Sequence, residues 1–200
     1  MKIAILGSGH LASRLASLLS DAGHDVMVCT RHPVDGAQPS YVDGANAASV
    51  VVLAFPFGEA RAVLTPLASA LAGKIVVDAT NPIKSDWSPV LLGQENSAGE
   101  EIARLVPQAR VVKAFNTIFA DTMHREKQGR AGLAITAFIA SDDRVASDEL
   151  LRLADQMGFA PIDAGPLKVS RYLEAMAHLN IQLAKDGGTD AAFIYHQAPH

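Results

Sequence analysis

Apolar residues along the chain gather into short unbroken runs rich in β-branched side chains: KIAIL (2–6), DVMVCT (25–30), SVVVLAF (49–55), KIVVDA (74–79), RVVKAF (110–115), ITAFIA (135–140) and APIDA (160–164). Runs of this length that do not alternate with polar residues read as strands covered on both faces. Between most of them lie stretches of helical period: LASRLASLLSDAG (11–23), GEARAVLTPLASALAG (58–73), SAGEEIARLVP (97–107) and DDRVASDELLRLADQMG (142–158). Strands separated by helices need crossover connections, so the pattern predicts an α/β protein with a doubly wound, mainly parallel sheet of Rossmann type. The segment 170–186 places Leu173, Met176, Ala177 and Ile181 at spacings of three and four, which predicts a closing helix with one apolar face. No repeat, low-complexity tract or linker divides the chain. Residues 1–200 are therefore expected to form one domain, with 165–200 as a short helical C-terminal part and tail.

The first strand runs straight into glycines. Gly7, Gly9 and Ala12 match G-x-G-x-x-[GA] between a strand and a helix, the context that the dinucleotide fingerprint requires. Gly7 permits the tight turn, Gly9 lets backbone approach a pyrophosphate, and small Ala12 lets the helix pack close to the strand. Ser8 lies between the glycines, and the N–H groups of His10 and Leu11 at the helix start would face the anion, aided by the helix dipole.

The second strand ends without the acid that usually binds an adenosine ribose; Thr30, Arg31 and His32 stand there instead. A hydroxyl, a forked cation and a further donor suit a 2′-phosphate, so NADP(H) is expected over NAD(H), although Thr-Arg-His before Pro33 also reads as a plain turn. Asp35, just beyond, can pair with Arg31.

Ligands of parallel sheets bind outside the carboxyl ends of the strands. That rule selects Pro56 and Phe57 as walls for a flat ring, and Asn81 and Asn116 as amides able to orient a carboxamide or a planar acceptor. Asn81 with Pro82 equally makes a turn. Lys113 is either a proton donor at this edge or, by strand alternation, points away to pair with a carboxylate.

Composition narrows the field further. The 200 residues carry a formal charge of −4 with scattered Lys and Arg, which gives no field for nucleic acid. Cys29 is the single cysteine and fits a reducing compartment, so a cytoplasmic protein is expected. No apolar run approaches the about 20 residues needed to span a bilayer, and the N-terminus lacks the pattern of a signal peptide. The seven histidines show none of the spacings of a metal site, and none is expected to hold one. His10 lies in the glycine loop, either as an ordinary helix-start side chain or reaching the nicotinamide.

The blocks GSGHLASRLA, VCTR, VVLAFP, VVDATNP, VVKAFNTI and DAGPLKVSRYLEAMAHLNIQLA occur in the order found in one family, which the chain resembles over nearly its whole length. It is the family of NADP-dependent oxidoreductases that includes the coenzyme F420:NADP oxidoreductases and the reductase domains of six-transmembrane metalloreductases. The resemblance implies pyrophosphate contact at Ser8 to Leu11, 2′-phosphate contact at Thr30 and Arg31, and a nicotinamide near Phe55, Pro56, Asn81 and Ala114. The family pattern often has a further basic residue where this chain has Asp35. It also implies direct hydride transfer between NADP(H) and a small redox acceptor, coenzyme F420 or FMN/FAD, with no obligatory protein acid. Reduction of a small carbonyl or imine, and non-catalytic NADP(H) sensing, are the alternatives. The closing helix can pack on its own sheet or on a second subunit, so both a monomer and a homodimer are open.

Overall fold

The computed structural model describes residues 1–34, 38–124, 129–130, 132–187 and 191–196. Five strands, β1 (Lys2–Leu6), β2 (Asp25–Cys29), β3 (Val50–Leu53), β4 (Ile75–Asp78) and β5 (Arg110–Lys113), pair in parallel in the order β2-β1-β3-β4-β5. A two-residue hairpin, β6 (Gly129–Arg130) and β7 (Leu133–Ala134), comes before β8 (Thr136–Ser141). Strand β8 pairs antiparallel with β5 and carries β9 (Ala160–Gly165) parallel to itself at the edge. The expected Rossmann-type sheet is therefore present, with its last two strands reversed.

Strand alternation sorts the core into two layers. Ile3, Ile5, Val50, Val52, Val77 and Val112 point to one face, where helices α1 (His10–Asp21) and α5 (Arg144–Gln156) cover them with Leu15, Leu19, Leu150 and Leu153. Ala4, Leu6, Val51 and Leu53 point the other way, toward α2 (Tyr41–Ala47), α3 (Ala60–Leu67) and α4 (Ala98–Leu105). On that second face α6 (Ser170–Gly187) sets Leu173 against Phe138 and Ala140 of β8. Each fully buried Ile or Leu of these layers contributes about 1.5–3 kcal/mol relative to leaving it in water.

The chain leaves β1 in one direction, to β2 at the edge, and β3 begins the march in the other. The strand order thus reverses between β1 and β3, and a crevice opens at their carboxyl ends. Helix α2 makes the return crossing in only seven residues. It fits because Gly44 has no side chain: a Cβ there would overlap the Cys29 sulfur. Among the described residues no helix is long and apolar enough to cross a membrane.

Candidate active site

The glycine loop forms one rim of the crevice. Gly7 turns the chain at a φ of 143°, and its N–H donates to the Cys29 carbonyl at 3.1 Å. Any Cβ at Gly7 would overlap the Ala54 carbonyl, so the first glycine is dictated by backbone approach. Ser8, Gly9 and His10 are exposed on the rim, Leu11 is half-buried behind them, and Ala12 packs wholly buried against the sheet. Gly9 is the N-cap of α1, without a side-chain cap and without an acid in the first turn. The space over its Cα is open to 4 Å. Uncapped N–H groups beside open space fit a pyrophosphate.

The end of β2 forms a second rim. Thr30 is half-buried and its N–H donates to Pro39 at 2.9 Å, while Arg31 and His32 are exposed. Arg31 Nη1 donates to Glu59 Oε2 at 2.9 Å. Glu59 closes the 3-10 turn Phe57–Glu59 that follows β3. Sequence reasoning passed over it, although the strand-end rule that selected Pro56 reaches three residues further. Asp35, the expected partner of Arg31, lies outside the described residues. Cys29 is buried, and burial first, with Asp43 next, pushes its thiol up to about 11, which leaves it an inert core side chain.

Between the rims lies a crevice of about 370 Å³, within the range of small-molecule sites. Pro56 and Phe57 line it, with Phe55, Ile83, Trp87, Phe119 and Ile181, so its walls are flat and apolar. Asn81 and Asn116 both reach it and interlock. Asn81 Nδ2 donates to the Asn116 carbonyl at 2.8 Å, and Asn116 Nδ2 donates to Asn81 Oδ1 at 3.0 Å and the Leu173 carbonyl at 3.1 Å. These bonds fix the orientation of the Asn116 amide, and its Oδ1 is left buried without a partner. Asn116 thus lines the crevice while its side-chain oxygen lies beneath the surface, one bond short of satisfied.

Ala114 is wholly buried and does not line the crevice; its neighbour Phe115 does. Phe115 sits at a φ of 64°, a strained turn for an aromatic residue, which swings the chain out of β5 toward Asn116. Helix α6 supplies Ala177, Asn180 and Ile181, so the C-terminal part does close one side of the crevice. Asn180 Nδ2 holds this wall to the loop by donating to the Thr117 carbonyl at 3.1 Å. At the mouth, His10 Nε2 lies 3.3 Å from Asp121 Oδ1 and 3.2 Å from Arg14 Nε.

Lys113 points away from the crevice, the second of its two expected placements. Fully buried, its Nζ donates at 2.8 Å each to Asp78 Oδ2, the Thr80 carbonyl and Glu174 Oε1. The Glu174 carboxylate also accepts the N–H groups of Ala98 and Gly99 at the start of α4. Every donor of the ammonium is used, so Lys113 clamps β4, β5, α4 and α6 beneath the site rather than serving as an acid.

Comparison with known proteins agrees with this geometry. Residues 2–82 match the family described as NADP oxidoreductase, coenzyme F420-dependent. The F420-dependent NADP reductase of Methanothermobacter marburgensis is 31% identical, over 92% of this chain and 92% of that protein. Metalloreductase STEAP3 of Rattus norvegicus is 34% identical over 88% of this chain, which spans only 36% of that longer protein. The crystal structure of a candidate F420-dependent NADP-reductase from Arthrobacter sp. FB24 superposes with a TM-score of 0.87 at 32% identity, covering 100% of both chains. Imine reductases, such as that of Streptomyces aurantiacus at 15% identity and a TM-score of 0.62, share the fold. With fingerprint, crevice and nearly full-length relatives in accord, the chain belongs to the family of F420-dependent NADP reductases.

Proposed function

We propose that the protein passes a hydride between NADP(H) and a flat flavin-type acceptor, a deazaflavin of the coenzyme F420 kind or FMN/FAD. The observation that carries this reading is the crevice itself: aromatic and aliphatic walls and one interlocked amide pair. Bound NADPH supplies the hydride from its nicotinamide C4 to the acceptor ring, and one solvent proton completes the balance, giving NADP+ and the reduced acceptor.

The chain's own work is holding and drying. The N–H groups at the start of α1 take the pyrophosphate, and Thr30 and Arg31 take the 2′-phosphate. Asn81 and Asn116, interlocked on the crevice wall, would orient the carboxamide. Phe55, Pro56 and Ile181 exclude water from the stacked rings; alignment of this kind replaces a protein acid or base. His10 and Asp121 are the titratable side chains among the described lining residues, and both sit at the open mouth.

The test is NADPH and NADH oxidation by the purified chain against coenzyme F420, FMN, FAD, riboflavin, ferric chelates and quinones. The expected result is turnover with F420 or a flavin, faster with NADPH, and a preference that Arg31→Ala cuts by about ten-fold or more. Firm NADPH binding with no turnover of any flat acceptor would overturn the reading.

A further inference from the structure

The end of β2 lacks the acid that binds an NAD(H) ribose, yet the fold brings a carboxylate to the same place from β3. Glu59 Oε2 stands 2.9 Å from Arg31 Nη1, and both side chains are 45% exposed. We propose that Glu59 is the specificity-determining residue of the ribose seat: it competes with a 2′-phosphate for Arg31 and offers NAD(H) the acceptor that β2 does not. The inference rests on Arg31 being the 2′-phosphate ligand.

Three observations support it. First, the pair uses the Nη1 end of the guanidinium, and among the described residues no bond engages the Nε–Nη2 edge, the bidentate one that suits an oxyanion. A carboxylate fixed beside that edge repels a phosphate bearing nearly two negative charges, and an exposed ion pair is weak enough for the phosphate to open. Second, Glu59 is not free to drift away. Its N–H donates to Pro56 at 2.9 Å, and the next residue, Ala60, is buried at the start of α3. Third, the seat is one electrostatic cluster: the Tyr41 phenol, raised mainly by burial, is raised further by Glu59 and lowered by Arg31. Tyr41 packs its ring 6.1 Å from that of Phe55, which joins the ribose seat to the crevice wall. With NAD(H), the Glu59 carboxylate accepts the 2′-hydroxyl, the usual task of the acid at the end of β2.

The experiment compares wild type, Glu59→Gln, Arg31→Ala and the double variant. It reads calorimetric binding of 2′,5′-ADP and 5′-AMP to the full chain, with kcat/KM for NADPH and NADH beside it. Glu59→Gln is expected to tighten 2′,5′-ADP about ten-fold, to weaken 5′-AMP, and to raise the NADPH over NADH ratio. In the Arg31→Ala background the tightening should vanish. Unchanged or weaker 2′,5′-ADP binding in Glu59→Gln, with binding lost in Arg31→Ala, would overturn the role of Glu59 and leave the 2′-phosphate site standing. Unchanged 2′,5′-ADP binding in Arg31→Ala would remove the site and the inference together. Neither result touches hydride transfer in the crevice, which the acceptor panel reads.

Discussion

Gly7 and Gly9 sit two residues apart and answer to different demands. Gly7 is fixed by the fold, since its φ of 143° and the Ala54 carbonyl against it exclude a side chain. Gly9 has ordinary strand-like angles, φ −80° and ψ −173°, and nothing within 4 Å of where a Cβ would stand. On the proposed reading its lack of a side chain serves the ligand. Gly7→Ala should therefore lower stability by several kcal/mol, on the order of other special-backbone losses. Gly9→Ala should melt as the wild type does and bind NADPH about ten-fold more weakly. Thermal unfolding and NADPH titration of the two variants separate these effects. The distinction was legible from the spacing of the motif. The orphan oxygen of Asn116 was not, because it depends on which of two amides turns its nitrogen toward the Leu173 carbonyl, a partner 57 residues away.

At the level of elements, the long periodic ones were readable and the short ones were not. Helix α1 announces itself through four buried positions, Ala12, Leu15, Leu18 and Leu19, on one face. Helix α2, with seven residues that include Gly44 and Asn46, shows no period. Its signal is the capping box, in which Ser40 accepts from the Asp43 N–H and Asp43 accepts from that of Ser40. The run ITAFIA marks a strand but carries nothing about direction, so the reversal of β8 is settled by its pairing with β5. The placement of α6 rests on Glu174, which ties it to two N–H groups of α4 and to Lys113. Removing it in Glu174→Ala leaves a buried ammonium short of a partner. The expected cost is about 3–5 kcal/mol in urea unfolding, with loss of turnover as the Ala177–Ile181 wall loosens.

The same clamp sets a pH limit. Burial alone would push the Lys113 ammonium down, but Asp78 and Glu174 outweigh it and hold it above the ordinary lysine value. A proton held more tightly in the folded state stabilises fully below the unfolded pKa, and that stability is lost as pH rises through the folded one. The Cys29 thiol, raised from 9.0 to about 11, acts in the same direction. Stability should thus fall on the alkaline side, beginning above about pH 9. Urea unfolding of wild type and Cys29→Ala measures it, and the variant should lose the earlier part of the fall.

For the whole molecule, the place where strand order reverses makes the site. The parallel strands deliver the glycine loop, Phe55–Pro56, Asn81 and Asn116 to one edge, and α6 returns to close it. That edge followed from strand order and so was open to sequence reasoning. What escaped it was supplied by loops: Trp87, Asp121 and Glu59 reach the crevice or its rim through turns whose paths no periodicity encodes. On the proposed reading, the flat, apolar, amide-tipped crevice beside the dinucleotide cradle serves direct transfer between two stacked rings. The decisive measurement uses NADPH carrying deuterium at the transferred C4 position, with coenzyme F420 as acceptor and mass spectrometry of the reduced product. Direct transfer predicts one deuterium on the acceptor ring for each NADPH consumed, with the label from one C4 face only. Reduced acceptor without the label, or NADPH consumed with no acceptor reduced, would contradict it.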